Sequence, residues 1–345
     1  MRKLAIFAVL LLLLLLPVHA ADFDLPDAPA AAQKYMPENT ESFADGLLEI
    51  LMEAIFTLRP GFAEASKVCF CVTGCMLLVA AVRSITNVNQ AVDLILVLAI
   101  SYMLTDSTNS MIHLGADTIQ QVAEYGKLLL PVLTGVLASQ GGISTSAALY
   151  AGTSVFIHIL IASLENLIGP LLYVYMVLCI GHHTTGEELL KSICNFLKWG
   201  TTWLIKVTIY LFTGYLSITG VVSGTTDAAA LKAAKITLSG VVPVVGNIIS
   251  DASEAVLVSA GVLKNSLGIS GLLVIIATWI APFLQIAAQY LLLKITCAIS
   301  GLFGTSGAVG LLKDFTGIMG LILAATSTIC LLMLVSIVCY IRGVT

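Results

Sequence analysis

Residues 318–341 read IMGLILAATSTICLLMLVSIVCYI and contain no charged side chain. A helix needs about 20 predominantly apolar residues to cross the hydrocarbon core of a bilayer, so this run is long enough to span it. Residues 269–292 form a second uncharged run of the same length. These two runs predict that the chain is a membrane protein built from helices.

The composition of the whole chain supports the same class. Hydrophobic residues make up 58% of the 345 residues and charged residues 10%, whereas soluble domains contain about 25% charged residues. The apolar runs are continuous and do not alternate with polar residues, which excludes a transmembrane β-barrel. The net charge of −4, without a cluster of Lys and Arg, does not indicate nucleic-acid binding. The predicted fold class is therefore all-α, a polytopic helical membrane protein.

The apolar runs predict about seven transmembrane helices, together with amphipathic and re-entrant helices. The predicted spans are residues 68–82, 90–104, 147–163, 167–180, 201–222, 269–292 and 318–341. The third and fourth runs are interrupted near Pro170, and they form either two helices joined by a tight turn or one long broken helix. Residues 128–138 are apolar but too short to cross as a regular helix, so we expect a re-entrant or interfacial segment there.

The N-terminal residues are typical of a cleavable signal peptide, residues 1–20. Arg2 and Lys3 precede a 13-residue apolar core that ends before the small-residue pattern Val18-His19-Ala20; the alternative is an uncleaved first membrane helix. Residues 21–66 would then be an extracytoplasmic segment.

The predicted helix of this segment, from Glu41, has one apolar face, which lies on the membrane, packs on the bundle or binds another protein. Lys and Arg are distributed too evenly to fix the topology.

A more polar stretch divides the chain into a first group of membrane helices, residues 67–222, and a C-terminal group, residues 267–345. Residues 223–268 read SGTTDAAALKAAKITLSGVVPVVGNIISDASEAVLVSAGVLKNSLG, and we interpret residues 223–266 as a pair of amphipathic helices. The first helix is predicted to start near Thr226, with Asp227 in its first turn. The second follows Pro243, so that Pro243 and Gly246 join Pro170 as candidate helix-break positions.

The second helix of this pair has a narrow polar stripe, because Asn247, Ser250, Asp251 and Glu254 recur at helical spacing. One interpretation is that the stripe is the water-exposed edge of an interfacial helix. The other is that it lines a polar cavity or a helix–helix contact. Asp227, Asn247, Asp251 and Glu254 are therefore the candidate residues of a conduit or assembly surface.

Two ionisable residues lie within apolar surroundings, Glu165 and Lys206. Charges within a bilayer are costly and usually pair or line a cavity, so these two form a candidate intramembrane ion pair.

The eight cysteines lie mostly within apolar segments and are expected to be small packing residues. Cys179 with His182 and His183 resembles a fragment of a metal site, but adjacent histidines project in different directions and no carboxylate is nearby in sequence. An interfacial histidine pair is the favoured interpretation.

No catalytic, cofactor-binding or metal-binding residues are predicted, since the chain lacks HExxH, GxSxG and a glycine-rich phosphate-binding loop. The chain is thus not expected to be an enzyme, and no cofactor is expected.

Three segments resemble one known family. The stretch 223–268, LIGPLLYVY at 167–175 and KWG at 198–200 are similar to the stage III sporulation protein AE family of endospore-forming Firmicutes. The resemblance extends over roughly residues 40–345. It also includes the overall plan of a signal peptide, an outside N-terminal segment and many spans.

The resemblance implies a subunit of a channel-like complex between the mother cell and the forespore. Such a subunit would lie in the mother-cell membrane facing the forespore, with its N-terminus extracytoplasmic. Its implied partners are the other proteins of the stage III sporulation A operon and, through them, a forespore membrane protein. The alternative is a stand-alone secondary transporter of a small solute. Broken helices, which are typical of transporters, favour this alternative. The chain shows no internal repeat, and that weakens the transporter interpretation.

Overall fold

The computed structural model describes residues 25–36, 43–85, 89–140, 142–241, 246–302 and 306–342. For residues 89–90, 160, 164–165, 216–241 and 246–264 it describes the backbone only. All regular secondary structure in these ranges is helical, which confirms the all-α class. In chain order the helices are α1 Ala30–Gln33, α2 Phe43–Ile85, α3 Asn89–Ser139, α4 Ile143–Ser163, a π-helical turn Leu164–Ile168, α5 Gly169–Thr185, α6 Glu188–Val241, α7 Gly246–Ser300 and α8 Ser306–Arg342.

Helix α8 lies at the centre of the bundle. It contains the uncharged run that predicts a membrane helix, and it packs against α3, α4, α5, α6 and α7. Its side chains at Phe315, Ile318, Ile329 and Met333 are completely buried. A helix that is apolar on most of its surface is stabilised most when neighbouring helices bury every face. This explains the central position of α8.

Small residues allow the helices around α8 to approach closely. A Cβ atom at Gly115 of α3 would lie 2.5 Å from Ile322 of α8, and one at Gly271 of α7 would lie 2.7 Å from Leu129 of α3. Both distances are shorter than van der Waals contact, so these helices could not pack as closely with larger residues. This use of glycine at helix–helix contacts is typical of membrane bundles.

Five helical segments among the described residues are long and apolar enough to cross a bilayer. They are Phe43–Ile85, Ala91–Ser139, Ile143–Thr185, Asn265–Ser300 and Ser306–Arg342. The predicted count of seven is not confirmed. Two of the predicted spans, 147–163 and 167–180, belong to one segment that is interrupted only by the π-helical turn. The long broken helix is therefore the correct alternative there. The predicted span 201–222 lies in α6 and extends beyond the described side chains.

The prediction of a re-entrant segment at residues 128–138 is wrong. These residues are the last three turns of α3, and Pro131 lies inside the helix. Leu129, Leu130 and Leu133 are at most 1% exposed. Burying them against the bundle stabilises the helix enough to tolerate the hydrogen bond that proline removes.

The predicted helical pair of the central stretch is continuous with its flanking spans. α6 runs from Glu188 through Thr226 to Val241 without interruption, so no helix starts near Thr226. Gly246 is the first residue of α7, and Pro243 lies outside the described residues. Each of these two helices is about 80 Å long at 1.5 Å per residue, which exceeds the thickness of a bilayer.

Several helices of the bundle expose large apolar side chains. Exposed large side chains include Phe70 and Leu78 on α2, Ile95 and Tyr102 on α3, Val177 on α5, Trp199 and Tyr210 on α6, and Ile295 on α7. Others, including Leu48 and Phe56 on α2 and Ile143 and Val155 on α4, lie toward the opposite end of the bundle, so the apolar surface is not confined to one half. Soluble monomers rarely expose contiguous apolar surfaces of this size. The distribution indicates contact with lipid or with other membrane helices.

Arg83 and Asp93 form an ion pair between the end of α2 and the start of α3. Arg83 Nη2 lies 2.6 Å from Asp93 Oδ2, and the two side chains are 32% and 33% exposed. Asp93, an acidic residue near the start of a predicted span, therefore has a protein partner. We expect Asp93→Asn to lower the free energy of unfolding by about 1 kcal/mol, the upper range for partly exposed pairs. Glu188→Gln, which breaks the more exposed pair with Lys191, is the control and should have a smaller effect in thermal unfolding of detergent-purified protein.

Candidate functional site

A polar cleft opens between the end of α5 and the first turns of α3, α6 and α8. Its volume is about 870 Å³, and α3, α5, α6 and α8 all contribute to its walls. Its polar lining includes Asp93, His182, His183, Glu188, Lys191 and Ser306. The helices that line the cleft also carry exposed apolar side chains, such as Ile95 on α3 and Val177 on α5.

At the inner wall of this cleft, His183 is paired with a carboxylate from another part of the chain. His183 Nε2 lies 2.8 Å from Asp314 Oδ2, and the two side chains are only 11% and 27% exposed. The second oxygen, Asp314 Oδ1, accepts a hydrogen bond of 3.2 Å from the hydroxyl of Tyr175. Both carboxylate oxygens are therefore engaged, as expected of a mostly buried acidic group.

The local structure of α5 and α8 positions this pair. His183 lies in the last turn of α5. The helix ends at Gly186, whose φ of 77° requires the left-handed conformation and whose N–H donates to His182 O. On α8, a Cβ atom at Gly310 would lie 2.5 Å from His183 Cε1. Glycine at that position gives the imidazole room to reach Asp314.

Two buried cysteines contact each other between α5 and α6. Cys179 Sγ and Cys194 Sγ are 3.5 Å apart and both side chains are buried, as thiols and not as a disulfide. This contact agrees with the prediction that the cysteines pack between helices. Within the described part of the chain, no group of three or more His, Cys, Asp or Glu side chains is arranged to hold a metal ion.

A second, smaller cavity adjoins the π-helical turn. Its volume is about 310 Å³, and most of its lining is apolar, including Ile119, Ile168 and Ile322. Its polar rim is formed by the Tyr173 hydroxyl, which donates to Asn109 Oδ1 at 2.8 Å and lies 3.3 Å from His113 Nε2. Pro170, the predicted helix-break residue, lies in the first turn of α5 beside this cavity.

Comparison with known proteins gives the family of the chain. Residues 33–343 match the family described as stage III sporulation protein AE. The chain belongs to this family. Stage III sporulation protein AE of Bacillus subtilis (strain 168) is 25% identical over 253 residues, which cover 73% of this chain and 63% of the relative. The match thus covers less than two thirds of the relative. No solved structure matches the chain.

The structure describes only part of the site predicted for this family member. Asp227 lies on α6, and Asn247, Asp251 and Glu254 lie on α7, but their side chains are outside the described residues. Their role as a conduit or assembly surface stays a prediction. The Glu165–Lys206 pair also stays a prediction, since the side chain of Glu165, in the π-helical turn, is not described. Lys206 is exposed on α6.

Sequence reasoning missed the carboxylate partner of His183. Asp314 is 131 residues away in the chain, so proximity in sequence could not show the pair, and the histidines were interpreted as an interfacial pair. The two rings do point to different partners, since His182 Nδ1 contacts Glu187 O at 2.9 Å. The available signal for Asp314 is that it is the one acidic residue in the predominantly apolar sequence of α8.

Proposed function

We propose that the chain is an integral membrane subunit of the channel-like complex between mother cell and forespore. In this proposal it acts by assembling with the other stage III sporulation A operon proteins in the mother-cell membrane. The observation that supports it most directly is family membership over residues 33–343, joined to the exposed apolar side chains of the bundle and to its polar cleft.

The cleft is the part of the described structure best suited to line a conduit. It is open, it contains both acidic and basic side chains, and α8 and α5 hold its inner wall through His183 and Asp314. A polar surface inside a membrane protein is costly unless it faces water or another polar group. We therefore propose that water occupies the cleft and that the cleft continues into the space formed by neighbouring subunits.

Co-isolation from sporulating cells tests the assembly. The tagged chain, expressed in its own host lacking the native gene, should restore heat-resistant spores and should purify in mild detergent with the other operon proteins. Recovery of the chain without any operon protein under these conditions, despite normal spore numbers, would contradict the assembly proposal. Specific solute uptake by the purified chain alone in liposomes would instead support a stand-alone transporter.

Cysteine labelling tests the water-filled cleft. In a variant whose eight native cysteines are replaced by serine or alanine, Glu188→Cys in the cleft should react with a membrane-impermeant maleimide in intact membranes. Ile95→Cys, an exposed side chain on the apolar surface, is the matched control and should stay unlabelled, because lipid excludes the charged reagent. Equal labelling of the two positions would show that this part of the bundle is not embedded.

A further inference from the structure

Three lysines from three different helices lie along one face of α8, beside two of its glycines. They are Lys198 of α6, Lys294 of α7 and Lys313 of α8, and all three side chains are exposed. We propose that this lysine cradle binds a phosphate group, and that the phosphate belongs to an anionic phospholipid. The inference rests on the proposed membrane location of the chain, but it does not depend on the role in a conduit.

Contacts to the glycines of α8 place Lys198, and the tyrosine partner of Lys294, along the same stretch of this helix. Lys198 Nζ lies 3.2 Å from the place that a Cβ atom would occupy at Gly317. One turn further along α8, the ring of Tyr290 lies 3.5 Å from the corresponding place at Gly320. Lys294 Nζ donates a hydrogen bond of 3.1 Å to the Tyr290 hydroxyl. Lys198 and, through Tyr290, Lys294 are therefore placed beside two glycines that lie one turn apart on α8.

Lys313 extends the positive charge toward the start of α8. It lies one helical turn before Gly317, so its side chain projects from the same face. One turn before Lys313, Val309 O accepts a hydrogen bond of 3.9 Å from Cys297 Sγ of α7, so α7 lies beside this part of α8. The hydroxyl of Tyr175 lies 3.6 Å from the Cβ position of Gly317 and adds a polar group at the inner edge of the cradle.

The positive charge of the cradle is not neutralised by an ion pair. Among the side chains that the structure describes, no carboxylate lies within 4.0 Å of the ammonium groups of these three lysines. Asp314 offsets part of this charge through its electrostatic interaction with Lys198, but its two oxygens contact His183 and Tyr175 and not a lysine. Cations grouped beside an apolar surface are unfavourable until an anion binds among them. A phosphate, with its several acceptor oxygens, suits such a group.

The surroundings of the cradle favour a lipid over a free phosphate. On the α6 side, the exposed rings of Trp199 and Trp203 are stacked with centroids 6.4 Å apart. On the α7 side, Leu291 and Ile295 are each 55% exposed. Aromatic side chains favour the headgroup level, and apolar side chains favour acyl chains. Basic pockets between membrane helices bind anionic lipid headgroups in this way.

Lipid retention by the purified full-length chain tests the proposal. Wild-type protein in detergent is incubated with phosphatidylglycerol, phosphatidylcholine or inorganic phosphate, and bound lipid and thermal stability are measured. We expect phosphatidylglycerol to be retained and to raise the melting temperature, and phosphatidylcholine to do neither. Inorganic phosphate at millimolar concentration should not displace the lipid. If it does so, or if it alone gives the same stabilisation, the site takes free phosphate and the lipid assignment is overturned.

Variants then assign the binding to these three lysines. Each of Lys198→Gln, Lys294→Gln and Lys313→Gln should weaken phosphatidylglycerol binding about fivefold, and the triple variant should weaken it on the order of 100-fold. Lys127→Gln, at an exposed lysine of α3, is the control and should leave binding unchanged. Gly317→Leu, which fills the cradle without changing its charge, should also weaken binding. Wild-type lipid retention by a triple variant that elutes as the folded protein would overturn the proposal, whatever its effect on spore formation.

Discussion

Replacing Gly152 with alanine is expected to destabilise the protein by about 1–3 kcal/mol, the range for inserting atoms into a packed core. Gly152 lies on α4, and a Cβ atom there would overlap the ring of Tyr215 on α6. The ring cannot move away freely, because its hydroxyl donates a hydrogen bond of 2.8 Å to Ala148 O. The Phe156 ring, centred 6.0 Å away, further restricts it. The added methyl group must therefore separate α4 from α6.

Thermal unfolding in detergent measures this effect against a matched glycine. Gly200 lies on α6, and a Cβ atom there would have no neighbour within 4 Å. Gly200→Ala should leave stability unchanged or raise it by up to about 1 kcal/mol, because alanine loses less backbone freedom than glycine on folding. Tyr215→Ala should remove most of the additional cost of Gly152→Ala. Equal melting temperatures for the two alanine variants would contradict the packing of α4 on α6.

The fold class could be predicted because it depends on properties that are local in sequence. The uncharged run 318–341 is sufficient to indicate a membrane helix, and the low content of charged residues gives the class for the whole chain. The interruption near Pro170 was also visible, because proline lacks the N–H that a regular helix needs. There the structure has a π-helical turn at Leu164–Ile168 followed by the start of α5.

Helix boundaries were less predictable, because tertiary packing overrides local signals. Gly224, Thr225 and Thr226 are typical of a helix boundary, yet α6 continues through them. Pro131 is typical of a break, yet α3 continues to Ser139. In both cases the residues before and after the apparent break favour the same helix, and a single unfavourable position costs only a few kcal/mol.

The pairing in the candidate site could not be predicted at all, since it joins residues that are distant in the chain. The sequence singled out His183 and Cys179, but it contained no information on which element packs beside α5. That information depends on the close approach of α8, which Gly310 permits. Asp314 therefore became recognisable as the partner of His183 only when the two helices were placed together.

Replacing Asp314 with alanine is expected to lower the free energy of unfolding by about 1.5–3 kcal/mol, the range for a hydrogen bond to a charged group. The change removes the acceptor of both His183 and Tyr175 and leaves those polar groups partly buried without their partner. Because the pair connects α5 to α8 at the inner wall of the cleft, we also expect fewer heat-resistant spores when the variant replaces the wild-type gene in its host.

A double-mutant cycle separates the pair from general loss of charge. Asp314→Asn and His183→Gln should show a coupling energy above about 0.5 kcal/mol, since the two side chains interact directly. Asp117→Asn, at an exposed carboxylate of α3, is the control and should change stability by less than about 0.5 kcal/mol. Asp314 variants that unfold like Asp117→Asn, with additive effects of Asp314 and His183, would show that the ion pair does not hold α5 against α8. A stable Asp314→Asn variant that still lost spore formation would place the role of the carboxylate in the cleft itself, because its geometry would be kept while its charge was gone.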